Sequence, residues 1–164
     1  MGWRRLIFGL ALVVAGCSDG SPPDGNGCGQ GPGRVQVGQG GTRFRDLPAM
    51  GGELGIVRGS QGGIHVLVAF RTWDMGLIMD VVYRLEDADT GEPMGLTTEL
   101  MLRPGLFGND GVSAVRNPDL LILDNEAPSI DRFAGRSARL VLEAVGGGSH
   151  ACDARFATLV PPPE

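Results

Sequence analysis

The sequence predicts an all-β sandwich, and three observations predict it. Apolar residues recur with period two rather than the helical 3.6. Turn-forming clusters of Gly, Asn and Asp separate the apolar runs. No run has both the length and the periodicity of a stable helix.

The strands follow in order. Glu53–Arg58 and Ile64–Thr72 flank Gly59-Ser60-Gln61-Gly62-Gly63. Ile64–Phe70 is apolar on nearly both faces, which predicts a central strand. Leu77, Met79, Val81, Tyr83 and Leu85 alternate with Ile78, Asp80, Val82, Arg84 and Glu86. Leu96, Thr98, Leu100 and Leu102 form the next alternating set, after the turn Asp87-Ala88-Asp89-Thr90-Gly91. Leu120–Leu123 is a short apolar run bounded by Asn117-Pro118 and Asp124-Asn125. Ala138, Leu140, Leu142 and Ala144 make one buried face of Ser137–Val145. Gly146-Gly147-Gly148-Ser149 then links that strand to His150–Leu159 as a final hairpin.

The chain has 164 residues, with 28 Gly and 11 Pro. Most of the glycines fall between alternating runs and so read as turns. All 14 basic residues are arginine. Arg4 and Arg5 fall in a leader, which leaves 12 arginines against 19 acids and a formal charge of −7. An acidic domain without a basic stripe excludes nucleic acid as a partner. It also excludes an electrostatic grip on anionic lipid.

Arg4-Arg5 precedes the apolar stretch Leu6–Val14. That stretch is too short for a bilayer-spanning helix, which needs about 20 residues. It fits the apolar region of a secretory signal. Val14-Ala15-Gly16-Cys17 follows at once, and this run resembles the lipobox of bacterial lipoproteins. The resemblance covers the first 17 to 20 residues. It implies cleavage between Gly16 and Cys17, a diacylglyceryl group on the Cys17 sulfur, and a membrane partner held through lipid. One acyl chain binds only marginally, whereas two or three make attachment durable. In the enterobacterial sorting pattern an aspartate after the cysteine retains the protein in the inner membrane. Here Ser18 follows and Asp19 comes one place later, so the expected address is the outer membrane.

The expected organisation is a signal peptide at 1–16 and a lipidated cysteine with a flexible linker at 17–33. A β-sandwich domain at 34–160 and a Pro-rich tail at 161–164 complete it. With Cys17 lipidated, Cys28 and Cys152 are an even pair in an oxidising compartment, which predicts a Cys28–Cys152 disulfide. Two unpaired thiols are the alternative. The run Arg139–Val145, its glycine turn and the Cys152–Val160 strand resemble the last two strands of bacterial immunoglobulin-like domains. That resemblance implies an immunoglobulin-like antiparallel β-sandwich of about seven or eight strands, a common spacer or binding module. The inter-sheet cysteine pair with a core tryptophan is missing, and no binding residue is carried over.

Candidate chemistry is sparse. Gly147-Gly148-Ser149-His150-Ala151 echoes a nucleophile elbow, but no helix follows it, as that motif needs. His65, His150, Cys28 and Cys152 lack the sequence spacing of a zinc site. Asp87, Asp89 and Glu92 offer oxygens that suit calcium, although an Asp-supported turn accounts for them better. Gly59–Gly63 has no lysine and no following helix, so it is not read as a phosphate cradle. Trp73 ends a strand, where it is a core-edge residue, the favoured reading, or an exposed anchor for a partner. Leu106-Phe107 lies in a Gly-rich loop, Pro104–Asn117, for which recognition and disorder are equal alternatives. These three residues make up the expected contact surface. No cofactor is expected. The resulting expectation is a non-catalytic, lipid-anchored module that binds a protein or polysaccharide at the cell envelope. The alternatives are an envelope hydrolase using Ser149 or His65, and a calcium-dependent adhesion module.

Overall fold

The computed structural model describes residues 28–60, 62–109, 113–124 and 129–162. The expected signal peptide, the Gly16–Cys17 junction and the linker up to residue 27 lie outside them.

Ten strands form in order: β1 Arg34–Gln39, β2 Arg45–Asp46, β3 Gly52–Arg58, β4 Ile64–Trp73, β5 Met79–Asp87, β6 Thr98–Leu102, β7 Gly108–Asn109, β8 Ala114–Asp124, β9 Ser137–Gly146 and β10 Ser149–Val160. The only helical turn among the described residues is the short 3-10 piece Ile130–Arg132, capped by Ser129. One layer runs β3-β10-β9-β5-β6, and the other contains β2, β1, β4, β8 and β7. Strand β3 joins them. Its first half, Gly52–Gly55, pairs with Ala157–Val160 of β10, and its second half, Ile56–Arg58, pairs with Ile64–Val66 of β4. One curled sheet is thereby folded over its own apolar face.

The all-β sandwich expectation holds, with three corrections. The strands among the described residues number ten, because β1 and the two-residue pieces β2 and β7 add to the seven runs read from the sequence. The β3–β10 pairing is parallel, so the sandwich is mixed rather than purely antiparallel. Leu77 and Leu96 are 47% and 54% exposed instead of inward-facing. Each precedes its ladder, since β5 starts at Met79 and β6 at Thr98. The chain reaches β5 through Asp74 and Gly76, both at positive φ, and so leaves Leu77 in the connection.

Where alternation is strict, burial follows it. Met79, Val81, Tyr83 and Leu85 of β5 face Ala138, Leu140, Leu142 and Ala144 of the neighbouring β9 on the same buried side. Each large aliphatic chain withdrawn from water contributes about 1.5–3 kcal/mol. Strand β4 is central, as its two-sided apolar run predicts. It has β8 along one edge, with β1 and β3 end to end along the other.

The expected short run Leu120–Leu123 belongs to the eleven-residue β8. Asn117-Pro118 does not bound this strand but forms a bulge within it. Val68 pairs with Asp119 and Phe70 with Arg116, so two residues of β8 oppose Ala69 alone. A bulge is where a strand tolerates proline, which has no N–H to give the ladder. The extra residue also shifts the pleat, so Arg116 and Asp119 both face inward. Asp119 is 5% exposed. Its carboxylate takes the Tyr83 hydroxyl at 2.9 Å and the Arg116 Nε at 3.0 Å. Arg116 also donates to the Leu106 carbonyl at 3.3 Å. Burial, then the Asp119 charge, raises the Tyr83 pKa well above its ordinary value. The network spans the two layers, from β5 to β8.

Removing a partner from such a pair leaves a poorly solvated charge behind. Asp119→Ala is expected to lower stability by about 3 kcal/mol, measured by urea unfolding. Tyr83→Phe, which leaves the Arg116–Asp119 pair intact, should cost less.

Candidate functional site at the docked N-terminal segment

The site is built on the β9–β10 hairpin. Gly147 and Gly148 have φ of 58° and 76°, and a two-residue hairpin turn with both φ positive suits glycine. The turn sets the register: Gly146 opposite Ser149, Val145 opposite His150, and Glu143 opposite Cys152. Period two then sorts β10 into two faces. Ser149, Ala151 and Asp153 face inward, whereas His150 and Cys152 face outward.

The inward face holds the start of the domain. Ser149 is 3% exposed. Its hydroxyl oxygen accepts from the Gly33 N–H at 2.9 Å. A side chain at Gly33 would strike Ser149 and the Met75 sulfur, so only glycine fits there. Asp153 reaches the edge of β1 beside its short pairing with β2, where Oδ2 accepts from the Val37 N–H at 2.8 Å and from Arg155 Nε at 2.9 Å. Burial pushes the Asp153 carboxyl above its ordinary pKa, against the opposing pull of those two donors.

The outward face carries the cysteines. Cys28 and Cys152 form a disulfide with Cα atoms 5.7 Å apart. The Gly29 and Gln30 N–H groups donate to the His150 carbonyl at 2.8 and 3.1 Å, and the His150 N–H returns a bond to the Gln30 carbonyl at 2.9 Å. Residues 28–33 are therefore docked on β10, which corrects the reading of 17–33 as wholly a flexible linker. The His150 ring meets Glu143, with Nε2 to Oε1 at 2.7 Å. A ring nitrogen of His150 and both cysteine sulfurs all lie within 4.8 Å of one another. Sequence spacing concealed this group, because Cys28 is more than a hundred residues from the other members. The usable signal was the alternation His150-Ala151-Cys152, which puts two donors on one strand face.

The other candidates disperse. Asp87 Oδ1 accepts from the N–H groups of Asp89 and Thr90 at 3.1 and 3.0 Å, while Oδ2 takes Arg136 at 2.7 Å. Its carboxylate supports the turn, as the turn reading expects. The Arg136 hydrogen bond, then those from Thr90 and Asp89, lowers its pKa to about 2. Asp89 and Glu92 are exposed beside it. His65 lies half-buried on β4, its ring against Gly59 and Gly63. Ser149 belongs to the other layer, so the two residues of the hydrolase alternative are not brought together.

The expected contact surface is also divided. Trp73 is half-buried on the outer face of β4, where the Arg34 guanidinium lies 5.4 Å from its ring centre. Arg71, on the same face, stands 4.1 Å over the Phe44 ring. Phe107 instead packs edge-on against the core residue Phe70, with ring centres 6.2 Å apart. Leu106 remains exposed, but its carbonyl is held by Arg116. The expected loop Pro104–Asn117 is interrupted by β7, paired to the start of β8.

No protein-family model matches the chain, and no curated protein matches it. Among solved structures it is similar to the CooA pilin subunit from enterotoxigenic Escherichia coli. The identity is 13%, with 79% of this chain and 99% of that chain covered and a TM-score of 0.37. The fold described above rests on the strand pairing itself.

Two outcomes follow from the geometry. Ser149→Ala leaves the buried Gly33 N–H without an acceptor, so a loss of about 1–3 kcal/mol is expected in chemical unfolding. Asp87 has a folded pKa depressed below its unfolded value of about 3.9. Its contribution is therefore present above about pH 4 and lost as pH falls through about 2. The melting-temperature advantage of the native chain over Asp87→Asn should shrink across that window.

Proposed function

We propose that this chain is a bacterial lipoprotein, anchored through lipid on Cys17, whose β-sandwich is a non-catalytic binding or structural module of the cell envelope. The observation that carries the reading is the Cys28–Cys152 disulfide, which fastens the chain shortly after a lipobox-like Val14-Ala15-Gly16-Cys17. A structural disulfide suits an oxidising compartment. No helix among the described residues is long and apolar enough to cross a membrane, and the lipid supplies the attachment in this reading. Ten residues, 18–27, separate the two cysteines. Fully extended, they span at most about 40 Å, so the domain works close to the bilayer surface. Ser18 after the lipidated cysteine favours the outer membrane as its address.

The binding face best suited to a protein or polysaccharide is the outer side of β1 and β4. There Arg34 with Trp73, and Arg71 with Phe44, present flat rings backed by guanidinium groups. Aromatic and arginine side chains of this kind dominate interface energetics. The hydrolase reading draws no support from Ser149, whose hydroxyl is buried against Gly33.

Intact-mass measurement of the membrane-extracted protein tests the anchor. The expected mass is that of a chain beginning at Cys17 with a diacylglyceryl group and up to one further acyl chain. Cys17→Ser should release the protein from the membrane fraction. A chain cut at another position, or carrying no lipid, would overturn the proposal.

A further inference from the structure

We infer that, once its disulfide is reduced, the Cys28, Cys152 and His150 cluster becomes a binding site for a thiophilic d10 cation such as Zn2+, with Glu143 orienting the histidine. The two sulfurs and a ring nitrogen already lie within 4.8 Å of one another. Zinc ligands at about 2.3 Å (sulfur) and about 2.0 Å (nitrogen) sit roughly 3.3–3.8 Å apart in a tetrahedron. To reach that spacing the sulfurs must part from bonding distance and the ring nitrogen must settle into the same range. Glu143 meets His150 Nε2 at 2.7 Å, a contact that ligation through Nδ1 would keep. A carboxylate on the second nitrogen is the usual support of a metal-bound imidazole. All of these side chains are half-buried, so solvent can supply the fourth ligand. Thiolate donors select Zn2+ or Cu+ over Ca2+ and Mg2+.

The chemistry balances with a dithiol reductant. The reductant gives two electrons and two protons to the Cys28–Cys152 bond and leaves as its own cyclic disulfide. The two thiols then lose their protons as Zn2+ binds. Disulfide and metal are alternative fastenings of the same junction. Either one holds residues 28–33 on β10, and metal binding in the open state contributes directly to folding. The inference is independent of the lipid anchor.

The test uses the full chain carrying Cys17→Ser, so that only the two cluster cysteines remain. A phosphine opens the bond without competing for metal, taking oxygen from water as it becomes the phosphine oxide. Co2+ is then added as the probe. The expected result is one equivalent bound, with thiolate charge-transfer bands and tetrahedral visible bands that Zn2+ abolishes. Unreduced protein should show none. Glu143→Gln should weaken binding by about tenfold or more, and His150→Ala should alter the visible bands. Zn2+ should raise the melting temperature of the reduced protein and leave that of the oxidised protein unchanged. Binding no tighter than that of a Cys17→Ser, Cys28→Ser, Cys152→Ser variant would overturn the inference. So would a reduced chain that stays unfolded with and without metal.

Discussion

The covalent bond between Cys28 and Cys152 is the constraint on which the rest of the molecule depends. It joins Cys28, ahead of β1, to the last strand, across a sequence separation of 124 residues. Closing a loop of that size removes unfolded-state entropy worth about 5 kcal/mol. Hydrogen bonds alone would dock residues 28–33 reversibly. With the bond in place, the Gly29 and Gln30 donors, the Ser149 acceptor and the Asp153 reach to Val37 act at high effective concentration. Strand β1 is thereby positioned between β4 and the edge of β10.

The two layers need their own coupling, and β3 and β8 provide it. Strand β3 changes partners at Gly55–Ile56, so no break in hydrogen bonding accompanies the fold-over. Strand β8 uses a proline-tolerant bulge to turn Arg116 and Asp119 onto one face. The carboxylate then reaches Tyr83 across the interior. A buried charge is acceptable there because both of its oxygens have donors. The same arginine pins the Leu106 carbonyl, and Phe107 closes over Phe70. A loop that composition alone marks as a recognition element is thus partly a lid on the core.

Much of the fold was legible in the sequence wherever strands alternate without interruption. The buried faces of β5 and β9 and the final hairpin follow directly from period two and from Gly147-Gly148. Strand β8 was not legible beyond Leu120–Leu123, because its bulge breaks the period and Pro118 imitates a boundary. Parallel pairing of β3 with β10 leaves no local signature, since it depends on distant chain segments meeting. The site was legible only in part. Cysteine parity predicted the disulfide, but the third and fourth members of the cluster, His150 and Glu143, reach it through the β9–β10 register. Residues 28–33 read as linker because glycine dominates them, although at Gly33 the glycine is what permits close docking.

Because Cys28 is bonded to Cys152 of β10, force applied at Cys28 should pass into β10 instead of peeling β1 away. Single-molecule extension of the full chain, held by its two ends, measures this directly. In the oxidised state the 124-residue separation stays closed, and the contour length gained on unfolding should come only from residues outside that loop. Reduction should add on the order of 400 Å, at about 3.3–3.6 Å per residue. Equal length gains in the oxidised and reduced states would contradict the account.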